Sequence, residues 1–286
     1  MAGLYALFFV ATWLHVSAQP ASACPAPRDV SLSLTESALA QASLVLAQCA
    51  GADIEAGRWA RAQQRIEQAQ RAGLALTGQA RRDWYAQVAR LDATRKVDTG
   101  DWAALVDDVI AHEEALPWAG PLVRGVAAAR ASWAAQDAGR LQRARAELRR
   151  LEALASQAGP MSEEERARLL VQGAIAGAQY ERDEMQLLLD AAHELGGRLL
   201  AGDARRGPVV LARELEADLL RITDRYAAAG ERYRDVLHAS PRRVQSRLGL
   251  AEAYRRLGYA READETLAQA RALWEEADPE ARALLR

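Results

Sequence analysis

Apolar and small residues recur along this chain with the period of a helix, and almost nowhere with the period of a strand. The runs 35–49, 79–95 and 121–137 are each amphipathic at three- and four-residue spacing, and each is followed by a second such run. The second runs open on a glycine. Gly57-Arg58-Trp59 leads into Ala62, Ile66 and Ala69, Gly100-Asp101-Trp102 into Leu105 and Val109, and Gly139-Arg140-Leu141 into Ala144, Leu148 and Leu151. A fourth pair fits 162–179 and 183–196, opened by Ser162 with Glu165 three residues on, the pattern of a capping box. Gly173 and Gly177 lie inside it at helical spacing, which suits close approach of a neighbouring helix. No segment alternates β-branched with polar residues, so the pattern predicts helices in pairs and no strands.

Further along, the pairs become a true repeat. Ala217, Leu220, Ala229, Tyr233 and Val236 recur 34 residues later as Ala251, Tyr254, Ala263, Leu267 and Ala270. The alanines are expected where helix axes approach closely, with the larger residues filling the grooves around them. Gly258 is expected in the left-handed conformation that ends a helix. Ser240-Pro241 reads as an N-cap followed by proline at the first helical position. A hairpin of this kind cannot bury its apolar face alone, so a fixed 34-residue period predicts a stack. Upstream the intervals are nearer 40, which requires longer connections.

The last unit, LGLAEAYRRLGYAREADETLAQARALWEEADP, resembles the tetratricopeptide repeat family through Leu250, Ala251, Tyr254, Gly258, Ala263 and Ala270. The unit before it keeps Ala229 and Pro241 but has Leu220 and Asp224 in the tyrosine and glycine positions. The resemblance covers 208–279 well and the rest loosely. It implies an all-α, right-handed solenoid of about six hairpins, with degenerate hairpins over 35–207 and two repeats plus a short C-terminal segment over 208–286. It also implies a concave face, lined by first helices, that binds proteins or peptides. Carried over, that face comprises Glu214, Asp218 and Arg221 in the fifth hairpin, and Gln245, Glu252, Arg255 and Arg256 in the sixth.

The N-terminus has a different character. Residues 3–16 form an apolar run of a signal-peptide core's length, with small residues suited to cleavage after Ala18 or Ala23. The run is short for a bilayer span, although it lacks an early Lys or Arg and an uncleaved anchor is the competing reading. Residues 24–34 are Pro-rich. Cys24 has three readings: lipidation after cleavage at Ala23, a Cys24–Cys49 disulfide of an exported protein, or no bond at all with Cys49 a small core residue.

Composition narrows the function. Half of the residues are hydrophobic but only 6% are aromatic, as alanine- and leucine-packed helices require. The net charge is −2 with acids and bases interleaved, which speaks against nucleic acid. The arginines at 140, 143, 145, 149 and 150 read as a solvated helix surface. Lys96 is the only lysine, so a phosphate-binding Gly-Lys loop is excluded, and the absence of asparagine excludes N-glycosylation. His112, His193 and His238 are far apart on expected helices, no nucleophile elbow exists, and no cofactor or metal is expected. The expectation is a non-enzymatic, exported adaptor of the bacterial envelope that binds a protein partner, for example in secretion or surface-polymer export. The alternative is a structural protein that self-associates through its solenoid ends, since Leu284 and Leu285 offer little cover after Pro279. Membrane attachment would require lipidation at Cys24 or an uncleaved signal segment.

Overall fold

The structure, a computed structural model, describes residues 36–202 and 208–286. The expected signal segment 1–23, the Pro-rich stretch 24–34 and Cys24 lie outside the described residues. Within them there are twelve α-helices and no strand. They are α1 (Glu36–Glu55), α2 (Trp59–Gly73), α3 (Gly78–Asp98), α4 (Ala119–Ala135), α5 (Ala138–Ala158) and α6 (Glu163–Ala178). Then come α7 (Arg182–Gly202), α8 (Ala212–Ile222), α9 (Tyr226–Ala239), α10 (Val244–Arg256), α11 (Ala260–Leu273) and the short α12 (Pro279–Ala283). Each helix from α1 to α11 packs on the next, and α4, α6, α8 and α10 also contact one another in succession.

The hairpin turns reveal why the pairs repeat. Gly57, Gln136, Tyr180, Asp224 and Gly258 all have left-handed φ, between 48° and 85°. The residue after each donates its N–H to the carbonyl five positions back: Arg58 to Asp53, Asp137 to Ser132, Glu181 to Ala176, Arg225 to Leu220 and Tyr259 to Tyr254, all at 2.8–2.9 Å. This is a helix-ending turn that satisfies the last carbonyls of the first helix while reversing the chain. Glycine supplies it without strain at 57 and 258. The other three positions adopt it against the usual side-chain preference.

Small residues are buried where the 34-residue offset requires them. Ala217 and Ala229 are fully buried, Ala251 and Ala263 are 1% exposed, and Tyr233 fills the space between α9 and α10. A Cβ on Gly249 would collide with the Tyr233 ring, so that glycine admits the tyrosine. In α6, a Cβ on Gly173 would meet Leu189 at 2.8 Å and one on Gly177 would meet Met185 at 2.9 Å, so both glycines mark the expected close contact. Ser162 caps α6 by accepting from the Glu165 N–H at 3.1 Å, while the Glu165 carboxylate turns to Arg168.

Three expectations fail. The segment 100–118, expected to carry a second helix from Trp102, forms two 3-10 turns (Ala104–Asp107 and Glu113–Ala115) and leaves Val109 exposed. Side chains of the flanking helices take the backbone groups that a helix would have used. Lys96 donates to the Val109 carbonyl, Arg124 to that of Asp108, and Asp92 accepts from the Ala111 N–H. His112, expected on a helix, has a φ of 55° here and stacks on Tyr85. Ser240-Pro241 does not start α10. Ser240 closes α9, and a turn through Pro241 delays the helix to Val244 because Arg243 is extended and directs its guanidinium inward to Asp98 and Glu214.

The first and last hairpins meet. Trp59 packs edge-on to Trp274 with centroids 5.8 Å apart, in a cluster with Val244, Ala270, Ala277, Ala281 and Leu285. Trp274 donates its indole N–H to the Glu55 carbonyl at 2.9 Å, the Asp278 N–H bonds the Gly57 carbonyl at 2.9 Å, and the Asp278 carboxylate accepts from the Ala60 N–H at 2.6 Å. The last helices are therefore covered by the chain's own first hairpin as well as by Leu285.

Candidate functional site

The meeting of the two ends encloses a cavity of about 570 Å³, within the usual size of ligand sites. One wall is the end of α3 with the turn that leaves it: Val97, Gly100 and Trp102. The rest of the lining comes from α8 and α10, together with Arg130 of α4 and with Leu267, Leu284 and Leu285. All seven residues assigned to the concave face, Glu214, Asp218, Arg221, Gln245, Glu252, Arg255 and Arg256, line it. Helical spacing explains this: 214, 218 and 221 lie on one face of α8, as do 245, 252, 255 and 256 on the corresponding side of α10.

Most of these charges are paired within the protein. Arg130 pairs with Asp218 at 2.5 Å and lies over the Trp102 ring at 4.5 Å. Asp218 also accepts from the Tyr233 hydroxyl. Burial alone would raise the Asp218 carboxyl, but Arg130 and then Arg221 outweigh it and hold the group below its usual range. Arg221 is half-buried and pairs with Glu252 at 2.6 Å. Arg243 joins Glu214 at 2.7 Å and also pairs with Asp98, while Gln245 donates to the Asp98 carbonyl at 2.6 Å. Burial raises the Asp98 carboxyl even with Arg243 beside it, and does the same to Glu55 nearby.

Three wall arginines are thus neutralised within the protein. Arg255 and Arg256 are not. Both are exposed in the last turn of α10, and among the described residues neither makes an ion pair; Arg256 lies over the Tyr226 ring at 5.7 Å. The cavity lining combines leucine side chains with three cations, Arg255, Arg256 and Arg286, that make no ion pair among the described residues.

Sequence reasoning missed Trp102, Arg130 and Arg243. No local signal marks them, because the end of α3 meets the start of α10 only in the tertiary structure, where Asp98 contacts Arg243 and Gln245. The arginine cluster of α5 is dispersed as expected, with Arg143 on Asp107 and Arg150 on Glu147. Cys49 is buried near the end of α1, and its expected partner Cys24 lies outside the described residues. Among the described residues no group of three or more His, Cys, Asp or Glu is placed to hold a metal, and no helix is long and apolar enough to cross a membrane. Compared with protein-family models, curated proteins and solved structures, the chain matches none.

Proposed function

We propose that this chain is a non-enzymatic, exported scaffold of the tetratricopeptide type, a right-handed solenoid of hairpins that holds a protein partner of the bacterial envelope at its interior cavity. The observation that supports this reading most is the convergence on one cavity of the seven residues carried over from the tetratricopeptide resemblance. Successive contacts along α4, α6, α8 and α10 support the solenoid, since first helices stack on first helices in such an arrangement. Participation in secretion or surface-polymer export is part of the same proposal. The self-association reading needs open solenoid ends, and within this chain the two end faces pack on each other.

A photocrosslinking side chain at Glu252, compared with one at Arg234 on the outward side of α9, tests the proposal in the native host. A discrete protein adduct is expected from position 252 and none from 234. Absence of a protein adduct at 252, with circular dichroism unchanged, overturns it.

A further inference from the structure

The cavity's occupant has a chemistry that its walls define. Pairing Arg130 with Asp218, Arg221 with Glu252 and Arg243 with Glu214 consumes the acidic side chains that line the cavity, leaving Arg255, Arg256 and Arg286 without an ion pair among the described residues. Arg255 and Arg256 stand beside apolar surface from Leu248, Leu267 and Leu284. An unpaired guanidinium at a cleft attracts anions, and it prefers planar oxyanions that accept two hydrogen bonds. The leucines of the lining select against a bare ion, because a small hydrated anion would leave their surface uncovered.

Resting on the scaffold reading above, we infer that the cavity binds an acidic, leucine-like segment of a polypeptide, with carboxylate side chains on Arg255 and Arg256 and an adjoining apolar side chain against Leu248, Leu267 and Leu284. The site is composite. Trp102 and Val97 come from the early part of the chain and the arginines from its last full hairpin, so the segment is held only while the two ends are joined. Arg221 is a positioning residue: it braces Glu252 and accepts no ligand charge of its own.

The test measures binding by the full chain of an end-capped peptide alternating glutamate and leucine. It is compared with the glutamine–leucine counterpart and with free glutarate. Expected is binding of the glutamate peptide that weakens as ionic strength rises. The Arg255→Gln/Arg256→Gln double variant should lose about tenfold or more of that affinity, while Arg234→Gln on α9 leaves it unchanged. Both cavity arginines are exposed, so the double variant retains its fold, as its melting curve will verify. Equal binding of the glutamine peptide, or no loss in the double variant, overturns the inference. Glutarate binding as tightly as the peptide makes the site one for a free dicarboxylate and also overturns it. Failure of every peptide to bind while position 252 still crosslinks a protein removes the acidic segment and leaves the scaffold reading standing.

Discussion

At the scale of single residues, this fold depends on where it has no side chain as much as where it has one. Gly249 lets the Tyr233 ring pass beneath α10, and Tyr233 in turn bonds Asp218 and receives a hydrogen bond from Arg221 at 3.2 Å. Gly249→Ala places a methyl group where the ring lies, and neither helix has room to give. The expected loss is about 1–3 kcal/mol of stability, read from denaturant midpoints, together with weakened peptide binding as Asp218 and Arg221 shift. An unchanged midpoint would mean that α9 and α10 stand further apart than this packing requires. Positions such as Ala217, Ala251 and Ala263 were legible in the sequence because small residues at a fixed offset have one simple explanation. Gly249 was not, because its role depends on a tyrosine from another helix.

At the scale of elements, helices and their pairing could be read from periodicity, whereas turns and irregular segments could not. A left-handed turn is signalled by Gly57 and Gly258, but Gln136, Tyr180 and Asp224 adopt the same φ without any glycine to announce it. Asp224 and Gly258 occupy equivalent turns, which allows a reciprocal test. Gly258 has open space around its Cβ position, so Gly258→Ala reports backbone cost alone and should destabilise by about 1 kcal/mol. Asp224→Gly relieves the same kind of cost and should be neutral or stabilising, by up to about 1 kcal/mol after loss of its bond to the Tyr226 hydroxyl. Thermal melts showing the two changes with the same sign would separate these turns from one another. The segment 100–118 was misread for a related reason. Trp102, Leu105 and Val109 have helical spacing, yet tertiary partners from α3 and α4 supply its hydrogen bonds and override the local pattern.

At the scale of the whole molecule, the junction of first and last hairpins was invisible in the sequence because its contacts join residues far apart along the chain, such as Trp274 and Glu55. It also sets the pH response. Asp98 and Glu55 have raised pKa values, from burial first, so the folded state binds protons that the unfolded chain has released. Their contribution therefore rises as pH falls from neutrality toward the ordinary carboxylate values of about 4. Asp218, held low by Arg130 and Arg221 against its burial, contributes stability above the ordinary value that is lost as pH falls through its folded pKa. Melting temperature should accordingly rise on mild acidification and fall below pH of about 4. In Asp98→Asn the rise should shrink, and a steady decline from neutrality in the parent chain would refute the assignment. The junction itself is tested by Trp59→Ala. Trp59 is largely buried, packs on Trp274 and donates to Asp98 at 3.3 Å, so its removal takes both the apolar and the polar tie from one side. Truncating such a side chain costs about 3–5 kcal/mol where the structure cannot collapse into the space. Because α1 and α2 are also held by their own cluster with α3, the loss should appear as local opening rather than global unfolding. Hydrogen exchange should accelerate around Glu55–Ala60 and Leu273–Leu285 and along the cavity wall at Val97–Trp102, while α5 to α7 keep their protection. Peptide affinity should fall with it, since the wall that carries Trp102 no longer faces Arg255. Unaltered exchange at both ends would mean that Asp98, Arg243 and Asp278 suffice to hold the junction, and that the tryptophan pair is packing without a structural role in closing the cavity.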